Sequence, residues 1–99
     1  MVDALTLEDF VGRRGETFRV ESDEGRSLAF ELTAVALLSD GGGDFGHRLP
    51  FSLEFLGPEA NALPQASYEF THDEMGRLDI FIVPIERVGN RLKYQAIFS

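Results

Sequence analysis

The chain has 99 residues, no cysteine and a formal net charge of −8, from 17 Asp and Glu against 9 Lys and Arg. This length suits one domain, and the lack of cysteine excludes disulfides, thiolate zinc sites and a cysteine nucleophile. The acidic balance argues against a nucleic-acid partner, because phosphate backbones attract the opposite charge.

Thr6 to Gly12 reads as a short helix. Thr6 suits the N-cap, Asp9 follows three residues later, and Gly12 and Gly15 stop it. One or two turns are unstable alone, so Leu7, Phe10 and Val11 are expected to plug one end or face of a larger body.

The period then changes to two. Residues 16–22 form a first strand, with Phe18 and Val20 inward. Residues 27–38 form a long second one, with Leu28, Phe30 and Leu32 on one face. From Ala34 both parities are apolar, which predicts either a bulge or cover on both faces. Strands over 49–56, 67–72, 78–86 and 91–98 follow. Phe51, Leu53, Phe55, Phe70, Phe81, Tyr94, Ala96 and Phe98 are expected inward. Leu78 to Ile85 is the most apolar strand and reads as central or covered on both faces, with Pro84 demanding an edge or a bulge.

The links are short and rich in turn residues, and no helix separates the strands. The fold class is therefore all-β, with meander connections: a six-stranded antiparallel β-barrel, or a small sandwich, with a short N-terminal helix. The barrel is preferred because two packed sheets leave four exposed edges.

Several residue groups invite a chemical reading. Gly41, Gly43 and Gly46 match a dinucleotide fingerprint by spacing, but that site needs a helix to begin within it, and here a strand follows. Asp40 and Asp44 suggest calcium, but Gly42, Phe45 and Phe51 fall where a calcium loop needs a ligand, a glycine and a glutamate. No metal and no cofactor are expected.

His72, Asp73 and Glu74 are possible acid–base or metal groups, with His47 as the other histidine. Adjacent residues in a turn seldom converge on one centre, and solvated turn residues are the expectation. No nucleophile elbow surrounds Ser52 or Ser67, and Glu54 and Glu69 fall on solvated outer faces, possible cross-strand neighbours without a cleft. A non-enzyme is expected. Arg87, Arg91 and Lys93 make a locally basic C-terminal end, read as a solvated face.

The order of Leu5 to Phe10, Gly15 to Phe18, Phe51 to Pro58, Leu63 to Tyr68, Met75 to Ile85 and Tyr94 to Phe98 resembles a family of short bacterial proteins. The family is known as a domain of unknown function, number 6916. The resemblance spans nearly the whole chain, is weakest over Ala34 to Leu49, and implies no activity. It brings an association with phage-tail-collar-like neighbours.

The expectation is a protein-binding or assembly module, an accessory of a phage-tail-like or surface machine, with a protein partner or a homo-oligomer. Gln65 and Tyr68, in and beside a patterned loop, are candidate contacts, together with His72, Arg91 and Lys93. The candidate surface is the edge carrying Pro84 or the exposed row Arg91, Lys93, Gln95 and Ile97 of the last strand. The rival is a small-molecule carrier with a cavity inside the barrel. A hydrolytic or metal-dependent enzyme using His72 and His47 is the remaining alternative. The longest apolar run, Ala34–Leu38, is far below the roughly 20 residues of a spanning helix. Met1 to Gly15 lacks a signal peptide's basic and apolar blocks. No membrane partner and a cytoplasmic location are expected.

Overall fold

The computed structural model describes residues 5–21, 25–38, 50–58 and 63–98. Helix α1 is Leu7–Val11, and six strands follow: β1 Thr17–Glu21, β2 Ser27–Leu37, β3 Phe51–Leu56, β4 Ala66–His72, β5 Gly76–Val88 and β6 Arg91–Phe98. They close into an antiparallel barrel in the order β1-β2-β3-β6-β5-β4. The sandwich alternative is thereby set aside. The dinucleotide-like glycines, the Asp40–Asp44 pair and His47 lie outside the described residues.

The barrel consists of two three-stranded meanders, β1-β2-β3 and β4-β5-β6, joined first strand to first (β1 to β4) and last strand to last (β3 to β6). The meander expected throughout therefore breaks between β3 and β4, which stand on opposite sides of the ring. Glu54 and Glu69, considered as cross-strand neighbours, consequently never meet. Glu54 faces Gln95 on β6, and Glu69 faces Asp79 on β5. The closing seam is short: β1 meets β4 at Arg19–Thr71 and Val20–Phe70.

Two irregularities adjust the ring. The β2–β3 register shifts between Leu32 and Ala34, and the Thr33 hydroxyl donates to the Glu54 carbonyl at 3.1 Å there. This bulge moves the inward row of β2 from even to odd positions past Ala34, and the end of the strand is not covered on both faces, since Leu37 and Leu38 are 42% and 49% exposed. The β5–β6 register shifts between Pro84 and Glu86, where the proline cannot donate to the ladder.

Aromatic rings fill the interior from end to end. Phe51 stacks on Phe98 at 4.8 Å, and Phe10 of α1 lies 5.9 Å from Phe51 and 6.4 Å from Phe18. From Phe18 the column continues through Phe55, Phe70 and Phe30 to Tyr94, with centroids 5.1–5.6 Å apart. Such tilted and edge-to-face pairs add to the large apolar area that each ring buries. Of the three helix residues expected to plug the barrel, Phe10 is fully buried and Leu7 half-buried, but Val11 is exposed.

Phe81 departs from expectation. It is 49% exposed, on the outer face of β5, whereas Ile80 and Ile82 point inward. Since a strand alternates faces, Phe81 shares its parity with Asp79 and Val83. β5 is therefore not covered on both faces.

Candidate functional site

His72 ends β4 and is 7% exposed, so it is not the solvated turn residue that its neighbours suggest. Its ring packs 4.6 Å from that of Phe18. Nδ1 accepts the backbone N–H groups of Glu74 and Met75 at 3.0 and 3.2 Å. With both of those donors aimed at Nδ1, the ring proton sits on Nε2, which donates to Glu16 Oε1 at 2.7 Å.

Glu16 and its neighbour Arg13 reach this place through the link between α1 and β1. Thr6 N–H donates to the Asp9 carboxylate at 2.8 Å, fixing the start of the helix. Gly15, at φ 90, turns the chain, and the link is stitched to β2 by Gly15 N–H to the Leu32 carbonyl and Leu32 N–H to the Glu16 carbonyl.

Arg13 Nη1 then bridges Glu16 Oε1 at 3.4 Å and Glu74 Oε1 at 2.7 Å. The result is a closed circuit: His72 to Glu16, Glu16 to Arg13, Arg13 to Glu74, and the Glu74 backbone back to His72. The hydrogen bond from Arg13, and then its charge, hold the Glu74 carboxyl below the usual carboxylate range, and the same bond raises Arg13. Open clefts of about 310 and 460 Å³ flank the circuit, lined by acidic residues together with Arg13 and Arg19. Among the described residues no group of three or more His, Asp and Glu is placed to hold a metal ion.

Chemically, this circuit is a clamp. Both ring nitrogens of His72 are engaged, one by the β4–β5 turn and one by Glu16. Nothing in the sequence pattern singles out Arg13 or Glu16; the one local hint is their separation by three positions beside a helix stop.

The other candidate residues lie towards the opposite end. Tyr68 Oη donates to the Pro64 carbonyl at 2.7 Å, and Gln65 is exposed beside it. Arg91 Nε donates to the Gly57 carbonyl at 2.7 Å. Lys93 lies between Glu54 at 3.6 Å and Glu86 at 3.8 Å. The five candidates are thus not brought together: His72 clamps one end, while Arg91, Lys93 and Tyr68 are engaged with their own chain.

A different surface was legible only in part: Ile97 belongs to the exposed row expected of the last strand, whereas Phe81 was expected inward. On the outer face of adjacent strands β5 and β6, Phe81 and Ile97 are 49% and 58% exposed, with Val83 half-buried between Phe81 and the bulge. Ile85 and Val88 extend the apolar character of β5, at 44% and 40% exposure.

The family model described as a domain of unknown function (DUF6916) matches residues 5–98 of this barrel. The chain belongs to that family. Comparison with curated proteins and with solved structures finds no match. No helix among the described residues is long and apolar enough to cross a membrane.

Proposed function

We propose that the domain is a non-enzymatic protein-binding module whose docking face is the outer side of β5 and β6. The observation that carries this reading is the placement of Phe81. Every other phenylalanine among the described residues joins the interior column, yet Phe81 stands half-exposed on β5, two positions past the Val83–Gln95 pair, as Ile97 does on β6. Apolar groups clustered on a surface mark interaction sites more often than the same groups scattered singly. The sheet closes on itself, so a docking face is favoured over strand addition at an edge. A role as an accessory of a phage-tail-like or surface machine is the finer part of the proposal. The inward rings pack against one another, which supports the binding reading over a carrier of small molecules.

A photocrosslinker at position 81, in the protein expressed in its own cells, tests the proposal. The same group at position 29, exposed on β2 across the ring, is the control. A defined polypeptide captured from position 81, not from 29, and lost with Ile97→Ser, is expected. Equal capture from both positions would refute the docking face.

A further inference from the structure

The carboxylates beside Phe81 point to the chemistry of the partner. On the outer face of β4 and β5, Ser67 stands opposite Phe81, and the next outward pair is Glu69 opposite Asp79. Like charges directly opposite across a ladder are unfavourable. Arg77 lies 3.6 Å from Glu69, but both side chains are well exposed, at 77% and 55%. Asp79 makes no salt bridge among the described residues.

Two of the three cations on the other flank are already engaged, while Arg87 is exposed and makes no salt bridge among the described residues. Lys93 sits between Glu54 and Glu86, and Arg91 is held by the Gly57 carbonyl. The apolar strip is therefore bordered on its β4 side by two carboxylates that share one exposed arginine, with Asp79 outside any salt bridge among the described residues. A second copy, also at −8 overall, is disfavoured by the same field.

Resting on the docking face proposed above, we infer that the occupant is a basic protein segment. It sets an apolar side chain on Phe81 and Ile97 and lays a lysine or arginine across Glu69 and Asp79. Association is then steered by charge and weakened by salt.

The test uses three synthetic peptides titrated into the isotope-labelled protein and followed by NMR. One carries leucines flanked by arginines, the second replaces each arginine by glutamate, and the third replaces each leucine by serine. The arginine–leucine peptide is expected to shift β4, β5 and β6 resonances. Its affinity should fall roughly three- to tenfold in Glu69→Gln/Asp79→Asn, and should be unaffected in the control Glu8→Gln/Glu31→Gln. Phe81→Ser/Ile97→Ser should abolish binding.

If the glutamate peptide binds equally well, or the two carboxylate variants behave alike, the inference falls while the docking face stands, provided Phe81→Ser/Ile97→Ser still abolishes binding. If that apolar variant has no effect on binding, the docking face falls as well. Concentration-dependent dimerisation lost in Phe81→Ser/Ile97→Ser assigns the face to a second copy and overturns the inference, as does absence of shifts with all three peptides. Thermal melting supplies a partner-free check. Asp79→Asn should melt above the parent at low salt, with the gap closing as salt is added; an unchanged melt removes the premise.

Discussion

At the end of the barrel near α1, His72 leaves the aromatic column to tie down two segments, the β4–β5 turn and the α1–β1 link. At the far end Tyr94 does comparable work. Its ring continues the column against Phe30, and its hydroxyl accepts the backbone N–H of Leu63 in the β3–β4 crossover at 2.7 Å. Both ends are sealed by a buried ring with a polar tip, so that an apolar interior still satisfies the backbone of the segments covering it. The difference lies in how each tip is wired. His72 belongs to a circuit with Glu16, Arg13 and Glu74. Tyr94 acts alone, and its ring edge is fitted so closely that a Cβ placed on Gly57 would lie 2.8 Å from Tyr94 Cε1.

The strongest way to break this comparison is to remove the plug at one end. Phe10→Ala should cost about 3–5 kcal/mol, measured by urea denaturation, because Phe10 touches Phe18, Phe51 and Phe98 at once and no neighbour can refill the gap. Next comes His72→Ala, expected to cost roughly 2–4 kcal/mol through the lost ring and the two turn N–H groups left without an acceptor. His72→Asn should recover part of that loss, since its side-chain oxygen can accept from a following N–H; equal losses in the two variants would mean that the turn bonds contribute nothing.

At the Tyr94 end, Gly57→Ala should cost roughly 1–3 kcal/mol by overpacking against a ring that has no free direction in which to move. Tyr94→Phe keeps the packing and removes only the acceptor, so about 1 kcal/mol is expected. If Tyr94→Phe proves as costly as His72→Ala, the circuit adds nothing to what a single tie supplies.

The smallest effect distinguishes the two ends by pH. Glu74 is held below the usual carboxylate range in the folded state, so its contribution is present above that range and is lost as pH falls through the lowered value. The stabilities of the parent and Glu74→Gln should thus differ at neutral pH and converge in acid, while Tyr94→Phe keeps a constant offset throughout. A Glu74→Gln difference that persists unchanged into strong acid would show that the pair with Arg13 is not its source.

Much of the wall was legible. Phe18, Val20, Phe30, Leu32, Phe51, Leu53, Phe55, Phe70, Tyr94 and Ala96 all face inward as their period-two pattern predicts. Phe81 was not legible, because Phe81, Val83 and Ile85 match the hydrophobicity of Leu78, Ile80 and Ile82, and a strand apolar at both parities looks the same whether its outer row is covered or bare. The clamp was hidden for another reason: Glu16 and His72 are 56 positions apart and meet only because β1 closes on β4.

By itself the sequence determined six strands, a short helix and which side of most strands is wet, since alternation is a local property of an extended chain. The tertiary structure decided which strands are neighbours, where the ring closes, that the rings form one column, and that His72 is spent on a clamp while Phe81 stands outside. Those outcomes depend on pairings between distant segments, and a local pattern fixes the face of a strand without fixing its partner.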